Sequence, residues 1–145
     1  MTLKTYDPRQ FDVIVAGRLM DGFGATSKVT IEPESAGFED AVGVDGKVTR
    51  SRKHDRRATM TITLMQTSES NEILAALYEA DRDAPNGEGV FSVRVVDKAG
   101  TSVFTGSKAW IMQDPNVELA DTATEREWQI RIADYKPTHG SNPDD

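Results

Sequence analysis

Cysteine is absent from this sequence, and histidine is scarce, with only His54 and His139 present. The missing thiols exclude disulfide frameworks, thiolate metal sites and cysteine nucleophiles. A Ser-His-Asp triad needs a histidine held between a nucleophile and a carboxylate, but His54 lies among cations and His139 lies in a polar tail. Both are interpreted as ordinary surface residues, which argues against nucleophilic catalysis.

Long apolar runs are also missing, because no stretch approaches the roughly 20 residues that a membrane span requires. The first eight residues lack the charged-then-apolar pattern of a cleaved signal. We therefore expect a chain that is neither inserted in a membrane nor secreted through such a signal. A length of 145 residues is enough for one core, and a single domain over residues 1–145 is predicted.

Motifs that hold cofactors are lacking as well. The zinc spacing H-E-x-x-H, the D-x-D-x-D-G calcium loop and the Gly-Lys-Ser/Thr of a P-loop do not occur. The glycines of Asp21–Thr26 predict only a turn. No cofactor, no metal and no enzymatic function are predicted, although the paired carboxylates Glu32 with Glu34 and Glu39 with Asp40 leave a hydrolase as an alternative.

What the sequence does contain is a marked asymmetry of charge. The segment Lys47–Arg57 holds six of the 17 Lys and Arg residues but one of the 24 Asp and Glu residues, so the remainder has 11 positive and 23 negative side chains. A cationic projection on one copy can bind the anionic body of the next, which is a heterologous and repeatable contact. A net charge of -7 argues against broad adhesion to nucleic acid.

Alternation of apolar and polar residues predicts a mainly β chain. The clearest strand is Ala58–Met65, in which Met60, Ile62 and Leu64 share one face and threonines occupy the other. Near the N-terminus, Phe11–Val15 and residues 28–31 are predicted to pair with each other as an antiparallel ribbon.

The second half of the chain predicts a hairpin and a last strand. Residues 90–96 and 102–105 flank a tight turn, and the return strand is expected to continue beyond an irregularity at Gly106. Residues 127–133 alternate again, with Trp128, Ile130 and Ile132 on the apolar face. The polar segment after Pro137 is predicted to be a flexible tail over residues 137–145.

One helix is predicted between the threonine strand and the hairpin. Thr67 or Ser68 can cap its first turn, and Pro85 ends it. Its apolar stripe, at helical spacing, consists of Ile73, Leu74, Leu77, Tyr78 and Ala80. We expect this stripe to cover one open face of the sheet.

The order of these parts resembles the tail tube proteins of contractile-tailed bacteriophages. The resemblance is carried by Val15–Phe23, Arg52–Leu64 with Ser68–Asn71, Trp110–Pro115 and the final Trp128–Tyr135. Tubes of type VI secretion systems are similar in plan. The resemblance implies an antiparallel β-sandwich or half-barrel with a flanking α-helix and a long projecting loop at residues 32–57.

The resemblance also implies a function. The expected protein is a structural subunit of six-membered rings that stack into a hollow tube and pass the genome, in a virion tail assembled in the host cytoplasm. Its partners would be other copies of itself, the sheath, the baseplate and tail terminator proteins, with phage DNA transiently in the lumen.

Two sets of residues are assigned roles in this picture. The ring-stacking loop is expected to act through its cations, namely Lys47, Arg50, Arg52, Lys53, Arg56 and Arg57. The polar faces of two strands are expected to line the channel, where hydroxyl and acidic groups would let DNA slide, namely Thr59, Thr61, Thr63, Glu127, Gln129 and Arg131.

A binding module remains the alternative to this structural role. An OB-like barrel of five strands with one helix has a similar number of elements and could hold single-stranded nucleic acid on the basic loop. Against it, aromatic residues for base stacking are not interleaved with the cations of residues 47–57.

Overall fold

The computed structural model of the protein describes residues 11–21, 29–86, 89–98 and 100–141. Within those ranges the chain forms ten strands and one helix: β1 Phe11–Val15, β2 Arg18–Met20, β3 Val29–Pro33, β4 Phe38–Val42, β5 Val48–Arg52, β6 Ala58–Met65, α1 Ser70–Asp83, β7 Phe91–Asp97, β8 Val103–Gln113, β9 Glu125–Ile132 and β10 Lys136–Thr138. The strand pairs are antiparallel. The prediction of a mainly β sandwich or half-barrel with one flanking helix is confirmed.

Most of the strands form one sheet in the order β2-β1-β7-β8-β9-β6-β3, with β10 paired to β8. Side chains alternate across β6, so that Met60, Ile62 and Leu64 are fully buried while the intervening threonines are half-buried. Trp128, Ile130 and Ile132 of β9 are buried in the same way. The predicted bounds of β6 and its apolar face are therefore confirmed.

Strand β8 carries the irregularity predicted at Gly106. The register between β7 and β8 shifts between Phe91 and Val93, which pair with Ala109 and Gly106. A Cβ at Gly106 would overlap the side chain of Ile132 in β9, so the close approach of β8 to this side chain requires glycine.

The carboxylate of Asp134 binds β8 next to this irregularity from the connection between β9 and β10. It accepts hydrogen bonds from the backbone amides of Ser107 and Lys108, each at 3.0 Å, and from the Ser107 hydroxyl. Because Asp134 lies between β9 and β10, both of which pair with β8, this contact holds two successive strands to one long partner.

Helix α1 begins near the predicted cap and packs on the core. It differs from the prediction in its N-cap residue and in one residue of its apolar stripe. Its N-cap position is Glu69, which makes no side-chain cap hydrogen bond, whereas the Ser68 hydroxyl accepts from the Ser70 amide at 3.1 Å. Leu74 is fully buried, but Ala80 is exposed, and Ala75 packs against the core instead. The inclusion of Ala80 in the apolar stripe was therefore wrong.

The ribbon predicted between the first strands does not form. Strand β1 pairs with β2 on one side and β7 on the other, and β3 pairs with β6. The apolar residues of β1 and β3 can be buried by distant strands as well as by each other, and here β7 and β6 are those distant partners. The turn predicted over Asp21–Thr26 lies, apart from Asp21, outside the described residues.

The segment predicted to be a flexible tail begins within a strand. Pro137 and Thr138 end β10 and pair with Phe104 and Val103. Farther on, the carbonyl of Ser141 accepts from the Thr101 amide at 3.2 Å. Residues 142–145 lie outside the described part of the chain.

Candidate assembly surface

The long charged loop predicted at residues 32–57 contains a β-hairpin that sequence reasoning missed. Strands β4 and β5 form a separate two-stranded sheet, and every residue in both strands is exposed. Gly46 has a φ of 83°, a conformation that favours glycine, and its amide donates to the Gly43 carbonyl at 3.0 Å. We call residues 34–57, which comprise this hairpin and the two segments that join it to the sheet, the arm.

One face of the arm combines apolar and cationic side chains. The register pairs Phe38 with Arg52, Asp40 with Arg50 and Val42 with Val48, so these six residues share a face. The Arg50 guanidinium lies 4.4 Å from the centroid of the Phe38 ring, which is a cation–π contact. Val42 and Val48 remain 68% and 64% exposed, so this face has no apolar cover within the described chain.

An ion pair at the base of the arm joins its two segments. Asp55 accepts from Arg57 Nε at 2.9 Å, from Arg57 Nη2 at 3.0 Å and from the Ser35 hydroxyl at 2.7 Å. The Arg57 hydrogen bond, followed by that of Ser35, holds the pKa of Asp55 well below its usual range. The network fixes the first segment of the arm against the second.

A second cluster ties the base of the arm to the main sheet. The Thr59 hydroxyl donates to Glu34 Oε1 at 2.5 Å, and Arg131 Nη1 lies 3.2 Å from the same oxygen. The hydrogen bond from Thr59 is the main cause that lowers the pKa of Glu34, with Arg131 adding to it. The backbone contributes too, since the Tyr135 amide donates to the Arg56 carbonyl at 2.9 Å.

The lowered pKa of Glu34 bears on the hydrolase alternative. A glycosidase acid must keep its proton near neutral pH, which requires a raised pKa. Glu34 is held in its ionised form by a hydroxyl donor and a nearby guanidinium. The environment of Glu34 therefore suits an electrostatic anchor and opposes the role of a general acid.

The six cations predicted to stack rings differ in their surroundings. Arg57 is bound to Asp55, Lys53 Nζ lies 3.2 Å from Glu39, and Lys47 Nζ lies 3.9 Å from Asp45. Arg50 lies over Phe38. Within the described ranges, no carboxylate lies within ion-pair distance of Arg52 or Arg56. These two exposed arginines are the cations of the arm best placed to bind another molecule.

The residues predicted to line a channel are brought together by the pairing of β6 with β9. Thr59, Thr61 and Thr63 pair with Arg131, Gln129 and Glu127 respectively, so the six lie on one face as three cross-strand pairs. This face is opposite to the buried face that contains Ile62 and Ile130. Their orientation toward a channel stays a prediction.

A groove lies at the end of this face that is remote from the arm, and sequence reasoning did not find it. Its volume is about 520 Å³, and its lining includes Glu118, Glu125 and Glu127. The connection from β8 to β9, residues 114–124, forms one wall. Thr124 holds this connection in place, because its hydroxyl contacts the Glu118 carbonyl at 2.8 Å and Gln66 Oε1 at 2.7 Å.

Among the described residues, no group of three or more His, Asp or Glu side chains is arranged to hold a metal ion. None of the helical structure in the described ranges is both long and apolar enough to cross a membrane. The OB-like alternative required a five-stranded barrel, whereas the described residues form a principal sheet of eight strands.

Comparison with known proteins agrees with this architecture. Residues 15–140 match the family described as bacteriophage PhiTE tail tube protein. The chain is 31% identical over 144 residues to "Structural protein ORF10" of Pseudomonas phage KPP10, an alignment that covers 95% of this chain and 83% of that protein.

Two solved structures share the fold at low sequence identity. The sheath/tube terminator of the extracellular contractile injection system PVC, in its extended state, superposes with a TM-score of 0.59 at 12% identity, covering 93% of this chain and 97% of that chain. The tube terminating cap of the anti-feeding prophage gives a TM-score of 0.61 at 8% identity, covering 95% of this chain and 93% of that chain.

Proposed function

The chain belongs to the bacteriophage PhiTE tail tube protein family, and from that premise we propose that it forms hexameric rings that stack into a DNA-conducting tube. It is a structural protein of the virion tail. The observation that carries the proposal is the arm, a hairpin whose strands pair only with each other among the described residues and are exposed throughout. A structured extension of this kind, with apolar and cationic side chains uncovered, is suited to bind another subunit.

The edges of the main sheet support ring formation. Among the described residues, strands β2 and β3 stand at the two ends of the strand order, and an unpaired edge invites pairing with another chain. If the β3 edge of one subunit meets the β2 edge of the next, closure around a ring leaves neither edge exposed. Six copies would then form a continuous inner sheet.

The polar face of β6 and β9 suits the wall of a channel for DNA. Hydroxyl and acidic groups do not bind phosphate strongly, so they favour sliding. Arg131 would oppose this if its charge were free, but its Nη1 lies 3.2 Å from Glu34 Oε1. The proposed channel wall is therefore consistent with transient passage of phage DNA.

Electron microscopy of the purified protein tests the proposal directly. We expect negatively stained rings or tubes whose cross-section has six subunits. A protein that stays strictly monomeric at high concentration, even when tail assemblies are added as nuclei, would contradict it.

Charge reversal in the arm tests the stacking step separately from folding. We expect the double substitution Arg52→Glu and Arg56→Glu to reduce sedimenting polymer while circular dichroism and thermal unfolding stay unchanged. Arg57→Glu is a different case, because it also breaks the ion pair with Asp55 and should disturb the arm itself. Polymerisation that is unaffected by the Arg52 and Arg56 pair would remove the assigned role.

A terminator of the tube is the second candidate function. The fold is shared with a sheath/tube terminator and a terminating cap, and such a protein would add one layer and then stop. The same micrographs separate the two functions, since a tube subunit elongates with concentration and a terminator does not. With either function, the chain would belong to a phage tail and contact the sheath, the baseplate and other tail proteins. The tail would be assembled in the host cytoplasm.

A further inference from the structure

The arm and the groove lie at opposite ends of the same strand pair. The arm joins the sheet at Ala58, which pairs with Ile132, whereas Met65 at the other end of β6 pairs with Glu125 beside the groove. Eight residues of strand separate these ends by roughly 23 Å at about 3.3 Å per residue. Arg56 is two residues from Ala58, so it cannot reach the groove of its own chain.

The two ends also have complementary charge. Three glutamates line the groove, and its lining contains no Lys or Arg, whereas Arg52 and Arg56 project from the arm without a described acidic partner. Contact between two grooves would oppose like charges, whereas Arg52 and Arg56 would meet opposite charges in a groove. Charge therefore favours the contact of an arm with a groove.

Apolar groups accompany the charges at both ends. In the connection that forms the groove wall, Val117 is 66% exposed and Leu119 is 81% exposed. The arm offers Phe38, Val42 and Val48 on the same face as Arg52. A contact between these surfaces would bury apolar area at its centre and leave charge pairs at its rim, which is the usual arrangement of a protein interface.

We propose that the uncovered face of the arm binds the groove end of a second copy, with Arg52 and Arg56 facing the carboxylates of Glu118 and Glu127. The inference rests on the proposed stacking and names the acceptor of the arm. Because donor and acceptor lie at opposite ends of one subunit, the contact is heterologous and repeats along the axis of stacking.

A chain without cysteine allows a direct test by disulfide crosslinking. The variant Arg52→Cys with Glu118→Cys should give a ladder of covalent oligomers on non-reducing gels after oxidation of the polymer. Each single variant can form no more than a dimer. A matched control, Arg52→Cys with Glu79→Cys on the exposed surface of α1, should also stop at dimers.

A charge exchange gives a second readout that does not require a crosslink. Arg52→Glu and Glu118→Arg should each raise the protein concentration needed for polymerisation by about tenfold or more, as expected for a close interfacial charge pair. The two substitutions combined should restore most of that loss. Circular dichroism of each variant confirms that the domain remains folded.

The outcomes separate this inference from the proposed function. If the unaltered protein forms tubes but the Arg52→Cys, Glu118→Cys variant yields only dimers and the charge exchange restores nothing, the acceptor is wrong and the tube function stands. If the unaltered protein forms no rings or tubes, the proposed function fails and this inference fails with it.

Discussion

Two antiparallel ladders in this molecule have the same hydrogen-bonding pattern and opposite surroundings. The β6–β9 ladder pairs eight residues with eight and buries every second side chain on β6 together with Trp128, Ile130 and Ile132 on β9. The β4–β5 ladder pairs five with five and buries none. An isolated hairpin is marginally stable in water, so the arm depends on the contacts at its base and on what covers it. The buried ladder carries the stability of the domain, whereas the proposed assembly surface lies in the arm, so we expect that stability and assembly can be altered separately.

A core truncation should show the largest difference between the two ladders. Leu64 is fully buried on β6, and we expect Leu64→Ala to lower the free energy of unfolding by about 2–5 kcal/mol through lost burial and a cavity. Val48→Ala in the arm should change it by no more than about 0.5 kcal/mol. Urea denaturation measures both, and similar losses would contradict the proposed independence of the arm.

Removal of the Asp134 carboxylate should have an intermediate effect. Asp134→Ala leaves the amides of Ser107 and Lys108 without their acceptor, and hydrogen bonds to a charged group contribute substantially to stability. Because Asp134 is only half-buried, water can replace part of this contact, and we expect a loss of about 1–2 kcal/mol. Asp45→Ala, which removes a carboxylate that accepts from the Lys47 amide in the arm turn, is the matched control and should cost less.

The ion pair at the base of the arm predicts a smaller effect that depends on pH. The folded state lowers the pKa of Asp55, so its stabilising contribution is complete above the usual carboxyl range and is lost as pH falls through the lowered pKa. Asp55→Asn should therefore melt below the unaltered protein at pH values above about 5. The difference in melting temperature should shrink as the pH is lowered below about 4, and a difference that grew on acidification would contradict the assignment.

Excision of the hairpin should have the smallest effect on the body. The Lys53 amide donates to the Gly37 carbonyl at 2.9 Å, so the two segments can be joined after residue 37 by an Asn-Gly turn. We expect a free energy of unfolding within about 0.5 kcal/mol of the unaltered value and no stacked polymer. A body that unfolds without the hairpin would show that the arm belongs to the folding unit.

The parts of the fold that the sequence predicts are those with one buried face. The alternation of apolar and polar residues predicts strand β6 and the apolar face of β9. Gly106 marks the irregularity in β8, because a larger residue would overlap Ile132. The arm hairpin was missed because neither of its faces is buried, so its residues carry no alternating apolar signal. The pairing of β3 with β6 was missed since periodicity shows which face is buried but does not identify the partner strand.

The candidate site divides in the same way. The sequence predicts a basic projection and a polar face. The structure distributes the six cations along the arm and places the six polar residues on one face of β6 and β9. The sequence does not predict that Arg57 is bound by Asp55 or that Arg131 lies beside Glu34. Those contacts depend on how β3, β6 and β9 pair, and the groove depends on the course of the β8–β9 connection.

Two of the residues that fix the arm to the main sheet follow the arm by more than 70 residues in the sequence, so they are synthesised after it. Paired residues in the arm are 6 to 14 residues apart in sequence, so the hairpin can close soon after it leaves the ribosome. Strand β6 pairs with β9 across 60 to 74 residues, and pairing over such a distance is slower. Arg131 and the Tyr135 amide, which hold the arm base, arrive last. We expect a nascent or truncated chain that stops before residue 125 to present a hairpin with no fixed direction. Only a finished subunit should then be able to join the proposed polymer. Co-sedimentation of such truncated chains with preformed tubes would disprove this expectation.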